Sequence, residues 1–175
     1  MVTNGIDLKK HIREFPDWPK KGILFYDITP ILHKPKVFAA AVDALCSGFI
    51  EDNIDCVAAV EARGFIFGIS VAQKLGVGFI PIRKKGKLPG QTESVSYNLE
   101  YGTDTLEVQR DAIEGDRKVL IIDDLLATGG TVASACELIE KIGGKVAGIS
   151  FLVELTELKG KDKLSGYKIQ SVISY

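Results

Sequence analysis

Two adjacent carboxylates and a short loop of threonines and glycines stand together in residues 119–131, VLIIDDLLATGGT. The run Val119–Ile122 is apolar on both faces, which is typical of a central parallel strand, and we expect the strand to stop at Asp123 and Asp124. Ligands of an open parallel sheet bind beyond the carboxyl ends of its strands. The sequence therefore predicts that both aspartates lie at a ligand site.

The loop after the aspartates has the composition of a phosphate site. It leads into a segment with helical spacing, and the free N–H groups and dipole of a helix N-terminus favour a phosphate. Glycine lets the backbone approach an anion closely, and threonine hydroxyls add hydrogen bonds. The predicted phosphate-binding residues are Ala127, Thr128, Gly129, Gly130 and Thr131.

Asp123 and Asp124 then stand one short loop from the bound phosphate. Carboxylates repel a phosphate, but they accept hydrogen bonds from neutral hydroxyls of the same ligand. A ribose 5-phosphate meets both requirements, with the aspartates accepting from its 2′ and 3′ hydroxyls. In a plainer interpretation Asp124 ends a strand and Thr128 caps a helix, which explains each residue alone but not the group.

Other common phosphate and metal motifs do not fit the sequence. A P-loop needs G-x-x-x-x-G-K-[ST], which no segment supplies. Gly76 and Gly78 lack the third glycine of a dinucleotide fingerprint and precede a strand. The two histidines, His11 and His33, are far apart, and no third ligand is spaced for a zinc site. A P-loop ATPase and a Rossmann dinucleotide site are therefore excluded.

The composition is that of one soluble domain. The chain has 175 residues, 46% hydrophobic and 26% charged, so we expect a single domain over 1–175. The formal charge of -1 gives no pull toward nucleic acid or an anionic membrane, and neither is expected as a partner. Cys46, Cys56 and Cys136 have no paired spacing and are interpreted as buried thiols. With no secretory signal or membrane span, the protein is expected in the cytoplasm.

Short β-rich runs alternate with amphipathic helical runs, which favours an α/β fold. Helices are predicted over 36–51, over 65–75 and after the glycines at 129–130. Strands are predicted over 55–61, 76–84, 119–122 and 145–155, and alternation predicts an antiparallel flap at 93–101 and 105–109. The expected architecture is a mostly parallel sheet flanked by helices, with this flap and an N-terminal appendage.

VLIIDDLLATGGT closely resembles the phosphoribosyl pyrophosphate motif of type I phosphoribosyltransferases. Within them the chain is similar to the adenine phosphoribosyltransferase family, on the segments EARGF (61–65), IRKKGKLPG (82–90), LEYG (99–102), DDLLATGGT (123–131) and LVELTELKG (152–160). The resemblance implies the type I phosphoribosyltransferase fold. It also implies a purine salvage enzyme in which adenine and phosphoribosyl pyrophosphate give AMP and pyrophosphate, with Mg²⁺, in a cytosolic homodimer.

Breaking the bond to pyrophosphate develops positive charge on the sugar and negative charge on the leaving group, so both need stabilisation. The resemblance assigns the leaving group to Arg63, Arg83, Lys84 and Lys87, of which Arg63 and Lys87 are also expected to act in catalysis. Mg²⁺ is expected to be held mainly by substrate oxygens and water, without a dedicated protein site. A charge run can also be a solvated surface, and Lys85 is open to that interpretation.

The resemblance implies a mobile lid at about 85–105 that would exclude water from the developing cation. Glu100 matches a glutamate that the family places near the purine N7 and N9 edge, and it is expected to transfer a proton or stabilise charge. Tyr101 is assigned to the same lid. An ordinary surface hairpin with an exposed glutamate is the alternative.

Adenine recognition is assigned by resemblance to an N-terminal hood at about 1–34. Phe25 is expected to pack on the purine ring, backbone groups near Leu24 and Tyr26 to read its amino edge, and Leu158 to close the other side. Plain core packing is the alternative for Phe25 and Leu158. Many family members have arginine where Tyr26 stands, so any function of that arginine is open here.

Two rival functions are considered. A phosphoribosyltransferase for hypoxanthine, guanine or xanthine would need a donor opposite the 6-oxo group, where adenine's amino group needs an acceptor. A sensor that binds phosphoribosyl pyrophosphate without catalysis would be expected to carry an added nucleic-acid-binding domain or a basic face. The near-neutral, single-domain sequence and the adenine-type motifs favour the adenine enzyme.

Overall fold

The computed structural model describes residues 2–3, 5–98 and 103–175. The chain forms two compact units, residues 1–44 and residues 45–175. The predicted hood lies within the first unit. In the described part of the chain, no helix combines the length and the apolar character that crossing a membrane would require.

The first unit contains two small antiparallel pairs and two helices. The strands are β1 (Val2–Thr3), β2 (Ile6–Asp7), β3 (Arg13–Pro16) and β4 (Leu24–Asp27), and the helices are α1 (Thr29–Leu32) and α2 (Pro35–Cys46), whose last two residues fall in the second unit. β1 pairs with β2 and β3 with β4. A side-chain contact links β3 to β4, because Arg13 Nε donates a 2.8 Å hydrogen bond to Asp27 Oδ2.

The second unit carries the α/β sheet. Its elements are β5 (Cys56–Val60), α3 (Arg63–Leu75), β6 (Gly78–Lys84), β7 (Thr92–Asn98), β8 (Thr103–Gln109), β9 (Lys118–Leu126), α4 (Gly130–Lys141), β10 (Lys145–Glu154) and β11 (Ile169–Ser174). The described strands form the order β11-β10-β9-β5-β6-β8-β7. The first five are parallel, and β8 runs antiparallel to both β6 and β7. The predicted mostly parallel sheet with an antiparallel flap is confirmed.

The core of the second unit lies around the central strands. All of β5 is buried, and Val119–Ile122 of β9 is fully inaccessible, as expected for strands covered on both faces. Cys46, Cys56 and Cys136 are buried free thiols. Burial raises the pKa of Cys136 to about 12, so this thiol is inert at neutral pH.

The structure corrects two predicted boundaries. The helix predicted over 36–51 ends at Cys46, where the Phe49 N–H donates to the Cys46 carbonyl in a tight turn through Ser47 and Gly48. The strand predicted to stop at Ile122 continues to Leu126. It continues because β10 pairs with it over that whole length, whereas β5 pairs only as far as Ala59 and Ile122.

Candidate active site

β5 stops pairing with β9 at Ile122, before β9 itself ends, and this leaves a cleft beside the last part of β9. Past Ile122 the sheet has β10 on one side of β9 and, on the other, the turn that leads from β5 into α3. A cavity of about 240 Å³ lies there, lined by residues 60–64 and 123–132. The cleft therefore lies at the carboxyl ends of parallel strands, where an open α/β sheet binds its ligands.

The phosphate loop, residues 127–131, lines one wall of this cleft. It ends in α4, which begins at Gly130 and offers its free N–H groups to the cavity. Gly129 has a φ of 77°, and a Cβ at this position would collide with the carbonyl oxygen of Gly160. The loop thus requires glycine at 129 for both conformation and space.

Asp123 and Asp124 lie at the base of the cleft, within the last part of β9. The Asp124 N–H donates a 2.9 Å hydrogen bond to Asp123 Oδ1. Burial, reinforced by the charge of Asp124, raises the pKa of Asp123 well above its usual value of 3.8. Burial also raises the pKa of Asp124, against the opposing effect of the Arg63 guanidinium. Without ligand, the pair therefore holds its negative charge at an energetic cost.

Arg63 is the first residue of α3 and points to the aspartates. Its Nε lies 3.0 Å from Asp124 Oδ2. The next residue, Gly64, lets the helix approach closely, since a Cβ there would be only 2.9 Å from Asp123 Oδ1. The preceding peptide, between Glu61 and Ala62, is cis. The resemblance assigned Arg63 to pyrophosphate, and the structure places it against Asp124, one of the two carboxylates predicted to bind ribose.

The other predicted pyrophosphate residues gather around Glu61, which sequence reasoning did not select. Arg83 Nη2 lies 2.9 Å and Lys87 Nζ 3.4 Å from Glu61 Oε2, and the Lys84 N–H donates to Glu61 Oε1 at 2.7 Å. Although burial opposes it, hydrogen bonds from Lys84 and Arg83 hold the pKa of Glu61 below its usual value. Glu61 is the first residue of EARGF, so the available signal was a carboxylate at the end of a buried strand.

The Lys84 side chain has a different carboxylate partner, also absent from the sequence prediction. Its Nζ lies 2.9 Å from Asp104 Oδ2 on the flap strand β8. The hydrogen bond that the Lys84 ammonium donates to Asp104 lowers the pKa of Asp104 and raises the pKa of Lys84. Each of the three basic side chains, Arg83, Lys84 and Lys87, therefore already faces a carboxylate.

The residues predicted to bind adenine are distributed over both units. In the first unit, Leu24, Phe25 and Tyr26 occupy β4, where Leu24 is exposed and the Phe25 ring meets Trp18 edge-on at 4.5 Å. In the second unit, Leu158 ends a short 3₁₀ helix and is 47% exposed. Plain core packing, the alternative interpretation, therefore does not describe Leu158.

Comparison with known proteins identifies the family. The family model for the phosphoribosyl transferase domain matches residues 29–173. The adenine phosphoribosyltransferase of Clostridium perfringens is 54% identical over 170 residues, which are 97% of this chain and 99% of that protein. The chain belongs to the adenine phosphoribosyltransferase family.

Solved structures of the adenine phosphoribosyltransferase family share the fold. The enzyme from Thermoanaerobacter pseudethanolicus has a TM-score of 0.93 at 52% identity, covering 96% of this chain and 98% of that one. The enzyme from Saccharomyces cerevisiae, solved with adenine and an imino-altritol bisphosphate, has a TM-score of 0.90 at 41% identity, covering 94% and 96%. The type I phosphoribosyltransferase fold expected from the sequence is thereby confirmed.

Two further expectations of the family resemblance concern the lid and the metal. Glu100 and Tyr101 lie outside the described residues. For the metal, no group of three His, Cys, Asp or Glu residues in the described ranges could hold an ion. Asp123 and Asp124 are nevertheless carboxylates beside an open cavity, a donor set that suits a Mg²⁺ ion bound largely through substrate and water.

Proposed function

We propose that different groups of residues bind the ribose 5-phosphate, the pyrophosphate and the adenine in the reaction of this family. The chain is a purine salvage enzyme that transfers the 5-phosphoribosyl group from phosphoribosyl pyrophosphate to adenine, giving AMP and pyrophosphate. The observation that carries the assignment of roles is the phosphate loop directly after the partly buried Asp123 and the buried Asp124, with a separate group of basic side chains around Glu61.

The phosphate loop binds the 5-phosphate and the aspartates bind the ribose. Ala127, Thr128, Gly129, Gly130 and Thr131 surround the phosphate with backbone N–H groups and hydroxyls. Asp123 and Asp124 accept hydrogen bonds from the 2′ and 3′ hydroxyls, which replace the water that burial removes. Arg63 completes this part by balancing the charge of Asp124. The sugar is held at both ends of its ring for attack.

The leaving pyrophosphate is received by the basic group around Glu61. Arg83, Lys84 and Lys87 neutralise the charge that develops as the bond to the sugar breaks. Glu61 keeps the guanidinium and the Lys87 ammonium ordered before substrate arrives. Mg²⁺, held by the substrate with help from the aspartates, supplies further charge neutralisation when it is bound.

Adenine binding is assigned in this proposal to Leu24, Phe25, Tyr26 and Leu158. Phe25 stacks on the purine, backbone groups near Leu24 and Tyr26 read its amino edge, and Leu158 closes the other side. Leu24 and Leu158 are exposed, and Phe25 and Tyr26 are half-buried, so all four leave surface for a ligand contact. Tyr101 belongs to the lid that covers the reacting sugar.

The protein is proposed to act as a homodimer in the cytoplasm. Ile66 and Ile69 are exposed on α3, the helix that begins at Arg63, and 52% of Ile69 is accessible. Apolar side chains on a helix that leads into the cleft favour contact with a second copy of the chain. Buried free thiols agree with a reducing compartment. Light scattering of the purified protein measures the oligomeric state.

A base-selection assay tests the function. The protein is incubated with phosphoribosyl pyrophosphate, Mg²⁺ and adenine, hypoxanthine, guanine or xanthine in turn, and nucleotide formation is followed. AMP from adenine is expected to form fastest by a wide margin. A 6-oxopurine nucleotide formed faster would assign another base, and binding without any nucleotide would indicate a sensor.

Glu100 is proposed to assist proton transfer or charge stabilisation at adenine N9. Glu100→Gln is expected to lower kcat by about 100-fold, a common effect of losing a general acid or base, with little change in KM. Single-turnover kinetics isolates the chemical step. An unchanged single-turnover rate would remove Glu100 from the mechanism.

A further inference from the structure

A line of polar side chains connects the phosphate loop to Lys84 through the flap. The Thr131 hydroxyl donates to the Tyr97 hydroxyl at 3.5 Å. The Tyr97 hydroxyl donates to Asp104 Oδ2, also at 3.5 Å, and that oxygen lies 2.9 Å from Lys84 Nζ. Thr131 belongs to the proposed 5-phosphate site and Lys84 to the proposed pyrophosphate site. The line therefore spans the two ends of phosphoribosyl pyrophosphate.

Packing fixes Tyr97 at the centre of this line. Its ring is partly buried against the apolar core between the sheet and α4. The ring also lies against the first turn of α4, since a Cβ added to Gly130 would be 3.9 Å from Tyr97 Cδ2. A ring held in this way delivers its hydroxyl to a defined place, between a loop hydroxyl and a flap carboxylate.

The hydrogen-bonding capacities of the groups agree with a bridge. A tyrosine hydroxyl donates one hydrogen bond and accepts others, whereas a carboxylate only accepts and an ammonium only donates. Thr131 to Tyr97, Tyr97 to Asp104 and Lys84 to Asp104 satisfy these rules without conflict. Phenylalanine would keep the ring packing and remove only the hydroxyl, which makes the hydrogen bonds to both Thr131 and Asp104.

We infer that Tyr97 is a positioning residue that sets the distance between the 5-phosphate site and Lys84, so that both ends of phosphoribosyl pyrophosphate bind at once. This inference rests on the proposed function of the two sites. A ligand that engages both sites gains from their fixed spacing, because its second contact is made within one complex. A ligand that engages only one site gains nothing from it.

Three ligands separate this role from direct contact with substrate. Isothermal titration measures the dissociation constants of phosphoribosyl pyrophosphate, ribose 5-phosphate and Mg²⁺-pyrophosphate for the full chain and for Tyr97→Phe. Tyr97→Phe is expected to weaken phosphoribosyl pyrophosphate by about fivefold, the scale of one hydrogen bond, and each half ligand by less than about twofold. In kinetics, KM for phosphoribosyl pyrophosphate rises while kcat and KM for adenine stay close to the original.

A second variant and a matched control keep the test decisive. Asp104→Ala removes the acceptor that Tyr97 and Lys84 share and is expected to reproduce the loss, and the double variant is expected to be no worse than either single one. Ser96→Ala removes a 2.9 Å hydrogen bond to Thr105 across the same two strands, outside the line, and is expected to leave all three affinities unchanged. Thermal unfolding shows whether each variant is folded.

Each other outcome overturns a distinct claim. Equal weakening of ribose 5-phosphate and phosphoribosyl pyrophosphate by Tyr97→Phe would make Tyr97 a direct phosphate ligand and overturn the bridge. Unchanged affinity for phosphoribosyl pyrophosphate would also overturn it, while leaving the proposed function intact. If the unmodified chain fails to bind ribose 5-phosphate, the proposed function of the loop fails, and the inference fails with it.

Discussion

The two ends of the proposed substrate site, the phosphate loop and the basic group around Glu61, are built from different kinds of residue. The phosphate loop uses backbone N–H groups, small residues and hydroxyls, and its shape is fixed by the close contact between Gly129 and Gly160. The end proposed to bind pyrophosphate uses long basic side chains, each of which faces Glu61 or Asp104. One end is prepared by sterics and the other by balanced charge.

This difference predicts how each end responds to mutation. A loop shaped by close backbone contact should lose ligand binding when a single atom is added, because a packed structure has little room to adjust. A group of flexible ions responds gradually, since each cation can exchange one anionic partner for another. Substitutions at the two ends should therefore differ in both size and character.

The largest effect is expected for Gly129→Ala. The added Cβ would meet the Gly160 carbonyl oxygen at a position that also requires a positive φ. Displacing the loop should lower kcat/KM for phosphoribosyl pyrophosphate by about 100-fold or more, the scale of losing one preorganised donor, and abolish measurable binding of ribose 5-phosphate. Titration with ribose 5-phosphate and steady-state kinetics measure both.

Gly76→Ala provides the matched control for Gly129→Ala. Gly76 ends α3 with a φ of 70°, but a Cβ there meets nothing within 4 Å. Its substitution should cost about 1 kcal/mol of stability through backbone strain alone and leave kcat/KM unchanged. If Gly129→Ala behaves like Gly76→Ala, the loop is not shaped by the contact with Gly160.

A smaller effect is expected for Glu61→Gln at the other end. Glutamine keeps one oxygen but loses the charge that holds Arg83 and Lys87. KM for pyrophosphate in the reverse reaction should rise by about tenfold, as for the loss of one hydrogen bond between charged groups, while ribose 5-phosphate binds normally. Tighter pyrophosphate binding would show instead that Glu61 mainly competes with the ligand.

Glu93→Gln is the matched control for Glu61→Gln. Glu93 pairs with Arg110 at 3.2 Å on the same sheet, between β7 and the residue after β8. This ion pair is exposed and lies outside the cleft lining, so its loss should change stability by less than about 1 kcal/mol. A similar rise in KM for pyrophosphate would mean that overall charge, and not the position of Glu61, governs binding.

The same contrast explains what the sequence could predict. The aspartates, the phosphate loop and the start of α4 are consecutive in the chain, so local pattern was sufficient to predict them. Glu61 and Arg83 are 22 positions apart and meet only because β5 and β6 are parallel neighbours. The basic residues of this group were selected by resemblance, whereas the pairing of Glu61 and Asp104 with them depends on strand neighbours that no single segment reveals.

The boundaries that were wrong have a similar cause. The polar Asp123 and Asp124 suggested the end of a strand, but pairing with β10 carries β9 on to Leu126. The pairing of β9 with β5 ends at Ile122 because the neighbouring strand β5 is shorter. These strand boundaries depend on neighbouring strands of the sheet, so the periodicity of one segment cannot predict them.

The smallest expected effect is on the pH dependence of folding stability, and it has opposite signs at the two ends. Burial raises the pKa of Asp123, so the folded chain binds this proton more tightly than the unfolded chain, and stability is lost as pH rises above 3.8 toward the folded pKa. Asp123→Asn removes that loss and should raise Tm more at pH 8 than at pH 5, while weakening binding of ribose 5-phosphate. For a chain of this size each kcal/mol corresponds to roughly 2–4 °C.

Glu61 should behave in the opposite way. Its pKa is held below 4.5, so its contribution to stability is present above that value and is lost as pH falls through the folded pKa. Glu61→Gln should therefore lower Tm at pH 8 by more than at pH 4.

Asp116→Asn, at an exposed aspartate, is the control and should shift Tm little at any of these pH values. If Asp123→Asn and Glu61→Gln shift Tm in the same direction at pH 8, the ribose end is not held under electrostatic strain. A sterically shaped end would then differ from the balanced one only in its backbone.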